Sequence, residues 1–186
     1  MNKDATPDPV TLYQRATERA IEVAVGVAPE QLDDPTPCAA WTVQDLLDHL
    51  TGGTEYLLAA LAQRDPTPPQ GATAADFDHG VTEVLDGLAV PGSLDRLCLS
   101  PLGFEWPVGQ AVAGTFMDVL IHTHDLARAT GQDEGLDPEL VDACVAMFLP
   151  DMPERGRATG IVGPAVEVGA DASAQDVLLA AMGRTP

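Results

Sequence analysis

The chain has four histidines, at positions 49, 79, 122 and 124. The segment AVAGTFMDVLIHTHDLARATG carries two of them, contains no proline and closes on Gly131, so it reads as a helix. Each helical residue turns by about 100°, so His122 and His124 point about 200° apart and cannot both serve one ion. Asp118, four residues before His122, lies within about 40° of it. An Asp-xxx-His pair can therefore offer a carboxylate oxygen and an imidazole nitrogen to one point. His49 lies in a different apolar run, on a helical face with Leu46, Gly53 and Tyr56. An imidazole among leucines needs a polar partner, and a metal ion shared with the later helix would supply one. The set His49, Asp118 and His122 suits Zn²⁺ first, with Ni²⁺ or Fe²⁺ also compatible, and leaves a coordination position for water or substrate. The plainer readings are a hydrogen-bonded surface pair for Asp118 and His122, and a satisfied core histidine for His49.

The other reactive side chains read more quietly. His79, in DFDHG, has only carboxylate neighbours and reads as exposed; His124 reads as a packed or exposed imidazole with no metal role. Asp125 can either steer His122 or pair with Arg128, and the second is the favoured reading. Glu105 and Trp106 read as a hairpin tip in preference to a pocket lining. The three cysteines, Cys38, Cys98 and Cys144, are odd in number and form no CxxC pair. They indicate neither a thiolate zinc site nor a disulfide framework, and read as small buried hydrophobes.

The elements that must position these groups follow from periodicity and breakers. A first helix opens near Pro9, with Leu12, Ala16, Ala20, Val23 and Val27 at helical spacing up to Pro29. QLDDPTPCAAW is a loop, because Pro35 and Pro37 forbid regular helix. Thr42 then caps a second helix, with Asp45 three residues on, that runs from about Val43 to Arg64. Its weak point is Gly52-Gly53, which costs roughly 1 kcal/mol per glycine against alanine and lets another backbone or a ligand come close. DPTPPQG is a linker, followed by a third helix over about Ala74 to Leu88. LDRLCLSPLGFEWPV reads as hairpin-like, with its turn around Pro101 to Gly103. The fourth helix spans roughly Gly109 to Thr130. A fifth runs from Asp137-Pro138 to about Leu149, DMPERGRATG loosens, IVGPAVEV is extended, and a last short helix covers about Ser173 to Met182. Long helices with short joins are the pattern of an all-α, antiparallel bundle.

Composition narrows the function classes. The 186 residues suit one domain with a small appendage, and 45% of them are apolar while only 4% are aromatic. Nine basic residues against twenty-nine acidic give a net charge of −20. That field repels nucleic acid and anionic membrane surfaces, whose affinity for proteins comes largely from cations. No segment approaches the roughly 20 apolar residues of a membrane span. The N-terminal MNKDATPDPV does not read as a signal peptide, so a cytoplasmic location is expected.

Two stretches, DPTPCAAWTVQDLLDHL and DVLIHTHDLARATGQ, resemble the actinobacterial DinB-like metal-binding proteins, a superfamily related to the metal-binding domain of mycothiol-dependent maleylpyruvate isomerase. The resemblance runs from near Leu12 to the ending GPAVEVGADASAQDVLLAAMGR, and its Pro-Cys-Trp-Thr-Val-Asp-His pattern is specific. It implies a four-helix bundle whose metal is held by a histidine of the second helix and an acid-xxx-His pair of a later one. His49, Asp118 and His122 occupy those positions. The isomerase resembled has Glu where this chain has Asp118, and carries a larger C-terminal domain than the roughly forty residues that follow the bundle here. Many relatives have Trp in place of His124. The resemblance thus carries the metal site, and not the maleylpyruvate reaction.

The resulting expectations are a DinB-like metal-binding bundle over residues 1–150 and a C-terminal extension over 151–186 with a short helix packing on it. The leading function is a metal-dependent thiol transferase or isomerase, with mycothiol as thiol, acting on a small electrophile. No catalytic base is identified. A non-catalytic metal-stabilised binding module and a metal-dependent hydrolase are the alternatives, and a homodimer is left open.

Overall fold

The computed structural model describes residues 8–39 and 41–186. The described chain forms two compact units divided between Glu134 and Gly135. The first holds helices α1 (Pro9–Val25), α2 (Val43–Ala62) and α3 (Ala74–Leu88), a hairpin of β1 (Leu97–Leu99) and β2 (Glu105–Pro107), and α4 (Val108–Thr130). The second holds α5 (Pro138–Phe148), α6 (Met152–Thr159) and α7 (Ala174–Ala181). The boundary expected at 150 thus falls earlier, because α5 packs with α7. Among the described residues no helix is long and apolar enough to cross a membrane.

The first unit is an all-α, DinB-like four-helix bundle in which α1 packs on α4 and α3, and α2 on α3 and α4. Tyr13, Leu46, Leu50, Leu57, Phe77, Phe116 and Leu126 are fully buried and fill its centre. Helix directions follow from side-chain contacts. Gln132, just past α4, donates to the Val23 carbonyl near the end of α1 at 2.9 Å, so α1 and α4 run the same way. Gly80 faces Thr54 and Gly87 faces Leu61, so α2 and α3 also run together. The α2–α4 pair is antiparallel, since His49 meets Asp118 while Gly53, four residues on, faces Thr115.

Parallel neighbours need a long return, and the sequence supplies one. The twenty residues of α2 rise about 30 Å. Residues 63–73 must bring the chain back over that length, which extended proline-rich backbone at about 3.1 Å per residue can do. The strap lies along α2 in reverse. Thr67 N–H donates to Glu55 at 2.7 Å, and Gly71 and Ala72 N–H donate to Asp48 at 3.1 and 2.6 Å. The strap also passes Gly52, where a Cβ would sit 3.6 Å from the Pro69 ring. A Cβ at Gly53 would likewise sit 3.5 Å from Thr115 of α4, so at both glycines of α2 a methyl group would make only ordinary contact and neither approach demands glycine.

Most expected helices form within a few residues of the anticipated bounds. Thr42 caps α2 through a reciprocal pair: its hydroxyl accepts from Asp45 N–H at 3.2 Å, and its own N–H donates to the Asp45 carboxylate at 2.8 Å. The hairpin pairs Leu97 with Pro107, Cys98 with Trp106 and Leu99 with Glu105. One expectation fails. DMPERGRATG is not loose but contains α6, ended by Gly160 at φ 77°. Pro153 lies in the first turn, where a missing N–H breaks no intrahelical bond, and Gly156 leaves room for the Val162 side chain.

Candidate metal centre

The site begins in the loop before α2. Pro35 and Pro37 keep it out of helix, and the Thr36 hydroxyl closes it by donating to the Trp41 carbonyl at 3.0 Å. Trp41 N–H donates to the Cys38 carbonyl at 3.0 Å. This tight wrap presents two side chains to the bundle: the Cys38 thiol and the Trp41 ring. The capped start of α2 then fixes the register that brings His49 to the face opposite α4.

His49, Asp118 and His122 converge. His49 Nε2 lies 2.9 Å from Asp118 Oδ2, and His122 Nε2 lies 3.4 Å from Asp118 Oδ1. The two imidazoles meet edge to face with centroids 4.6 Å apart. Trp41 covers both, tilted over His49 at 4.8 Å and stacked on His122 at 5.6 Å. A nitrogen from each histidine and a carboxylate oxygen lie within 4.8 Å of one another. Ligands about 2.0–2.1 Å from one tetrahedral ion are spaced by roughly 3.3 Å, so the three donors fit a divalent ion with little adjustment.

Asp125 completes the arrangement from behind. Its carboxylate is wholly buried and accepts from His122 Nδ1 at 2.9 Å and from the Cys38 thiol at 3.2 Å. A buried carboxylate must be paired, and here the pairing fixes a tautomer. With its proton on Nδ1, His122 presents the Nε2 lone pair toward Asp118, the carboxylate–histidine relation typical of metal sites. Of the two readings of Asp125, the structure shows the contact with His122, the less favoured one, while Arg128 donates to Glu134 at 2.8 Å. The signal was present in the spacing, since residues three apart on a helix are neighbours.

The electrostatics support the same picture. Burial opposes ionisation of Asp118, but the His122 and His49 imidazoles outweigh it and hold the carboxyl far below the usual range. Burial likewise opposes a charge on His122, yet Asp118, then Asp125 and Cys38, raise its pKa well above the ordinary value. Two carboxylates on opposite sides of one imidazole call for positive charge between them. A doubly protonated His122 supplies it in one way, and a divalent ion at Nε2 supplies it in another.

The remaining candidates lie elsewhere. His124 is buried, with Nδ1 3.4 Å from the Glu134 carbonyl, and takes no part in either donor cluster found among the described residues. His79 is exposed, 3.7 Å from Glu83. Trp106 belongs to β2, where its indole N–H donates to the Tyr56 hydroxyl at 2.9 Å, and Glu105 is exposed beside it. Cys144 is buried as expected, and burial pushes its thiol up to about 12. Cys38 and Cys98 are only half-buried, and Cys38 is a polar participant, not a small hydrophobe. Reading the cysteines by pairing alone missed it, although it stands three residues before Trp41 in the most distinctive stretch of the sequence.

Comparison with known proteins agrees with this architecture. Two uncharacterised proteins of Mycobacterium tuberculosis, one from each of two strains, are 40% identical to the chain over 136 residues, covering 72% of it and 73% of each relative. A crystal structure of a histidine-to-alanine mutant of the mycothiol-dependent maleylpyruvate isomerase superposes with a TM-score of 0.65. It covers 85% of this chain and 73% of the isomerase chain at 12% identity, a likeness that establishes the fold. The family model of the mycothiol maleylpyruvate isomerase N-terminal domain matches residues 13–127, a span that covers all but the outermost residues of the bundle and includes all three converging donors. The chain therefore belongs to the mycothiol maleylpyruvate isomerase N-terminal domain family.

Proposed function

We propose that the protein holds one divalent metal ion on His49, Asp118 and His122 and uses it in a thiol-dependent transfer or isomerisation of a small electrophile in the cytoplasm, with mycothiol as the thiol. The observation that carries this reading is the convergence of two imidazole nitrogens and a carboxylate on one point, with the His122 tautomer set by Asp125. Family membership and the solved isomerase's dependence on mycothiol support the choice of thiol. Zn²⁺ best suits the donor set, with Ni²⁺ and Fe²⁺ as further candidates.

When bound, such an ion supplies Lewis acidity, which lowers the pKa of a thiol at its open position and yields a nucleophile at neutral pH. The protein's own residues do the rest. His49 and His122 hold neutral nitrogens in place, and Asp118 contributes the one negative charge of the set. Asp125 keeps the His122 proton on Nδ1, and the Trp41 ring packs against both imidazoles, burying His122 while His49 stays partly open to solvent. Asp118 is one methylene shorter than glutamate, and it meets both histidines directly.

The test is a conjugation screen of zinc-loaded protein with mycothiol against varied electrophiles, with and without chelator. Chelator-sensitive consumption of the thiol, lost in His49→Ala, is expected. Metal-loaded protein that is inert with mycothiol but hydrolyses esters or amides would replace this reading with a hydrolase.

A further inference from the structure

The far side of His122 carries a second set of donors. Cys38 Sγ lies 3.7 Å from His122 Nδ1 and 3.2 Å from Asp125 Oδ2, and those two atoms are 2.9 Å apart. Tetrahedral Zn²⁺, about 2.3 Å from sulfur and 2.0–2.1 Å from nitrogen and oxygen, spaces its ligands by roughly 3.3–3.6 Å, and a larger soft ion with the same donors opens that triangle slightly. The observed triangle brackets that range. We propose that Cys38, His122 Nδ1 and Asp125 form an alternative site for a thiophilic divalent cation such as Cd²⁺. It shares His122 with the centre proposed above, but does not require that centre to fill.

The chemistry of the three donors favours a soft ion. A thiolate selects Cu⁺, Cd²⁺ and Zn²⁺ over harder cations. One thiolate, one carboxylate and a neutral imidazole leave a divalent ion with no net charge, which suits a place where Asp125 is wholly buried. Cys38 itself is half-buried, on the loop that reaches the surface, so an ion has a route in. On binding, the thiol proton goes to solvent and the His122 proton leaves Nδ1 for Nε2, where Asp118 Oδ1 at 3.4 Å can accept it.

That proton makes the two sites exclusive. A neutral imidazole has a single lone-pair nitrogen. An ion at Nε2 keeps the proton on Nδ1 and closes the thiolate site, and an ion at Nδ1 puts the proton on Nε2 and removes one ligand from the first centre. Thiophilic metal therefore acts as an antagonist of the His49 centre without occupying it.

The test is a Cd²⁺ titration followed by cadmium–thiolate charge-transfer absorption. Ni²⁺-loaded wild-type protein should gain that absorption to one equivalent and release Ni²⁺ in equal amount. His49→Ala, titrated with Cd²⁺ alone, should show the full absorption. Cys38→Ser should show none, with the same melting temperature as wild type. The proposal is overturned if the absorption saturates while Ni²⁺ stays bound, if it persists in Cys38→Ser, or if it is absent from both wild type and folded His49→Ala. Should wild type take up no Ni²⁺, the proposed centre fails, and the His49→Ala arm still decides this site.

Discussion

Replacing Asp125 by Asn keeps the shape of the side chain and removes its charge, which isolates what that carboxylate does for His122. In the native site one buried oxygen accepts from both His122 Nδ1 and the Cys38 thiol. A hydrogen bond to a charged partner contributes about 1.5–3 kcal/mol, against about 0.5–1.5 kcal/mol for a neutral one. The difference is about 1–1.5 kcal/mol, or close to tenfold in metal affinity if it is felt at Nε2. Asp125→Ala goes further, leaving the Nδ1–H without its acceptor and the ring free to turn. Loss of such a supporting partner costs 10–100-fold, roughly, in metal binding. Competition against a chromophoric chelator measures both, with circular-dichroism melts to show that the bundle persists. Affinity within twofold of wild type in folded Asp125→Ala would refute the argument that Asp125 fixes the ligand.

Three further outcomes follow from the same geometry. Gly80→Ala should destabilise the bundle by about 1–2 kcal/mol, because an added methyl runs into Thr54, whose Cβ would be 2.9 Å away, and this outweighs alanine's better helix propensity. A thermal melt reads it, and Thr54→Ala should relieve part of the loss if the contact is the cause. In metal-free protein, the raised His122 pKa stabilises the fold below about 6.5, a gain lost as pH rises through its folded value, while the lowered Asp118 pKa stabilises it above about 3.9, a gain lost on acidification. Wild type minus Asp118→Asn should therefore be largest between those values; a difference that grew toward high pH without metal would contradict the pairing. His124→Ala should leave metal stoichiometry unchanged and cost only packing, as measured by metal analysis and melting.

The donors readable in the sequence were those set by helical periodicity. Asp118 and His122 share a face because four residues make nearly one turn, and His124 is turned away for the same reason. What periodicity does not encode is the partner across the bundle. That His49 meets Asp118 depends on α2 running against α4, and this depends on the proline-rich strap that returns the chain along α2. The loop before α2 was equally opaque. Pro35 and Pro37 mark it as irregular, but only the Thr36 closure brings Cys38 to the Nδ1 edge of His122 and Trp41 onto its face. The helix α6 was missed because proline and glycine act as breakers in general and not at a first turn or a close contact.

The central claim is that His49, Asp118 and His122 hold an ion, and metal analysis of the purified protein after equilibration with Zn²⁺ or Ni²⁺ tests it most directly. Wild type should carry close to one ion per chain, Zn²⁺ or Ni²⁺, released on acidification as the imidazoles protonate; Ni²⁺ should fall to near zero in His49→Ala, which keeps only the thiolate site, and both ions in His122→Ala, whose imidazole serves both sites. Wild-type protein that remains metal-free after incubation with both Zn²⁺ and Ni²⁺, while folded, would contradict it.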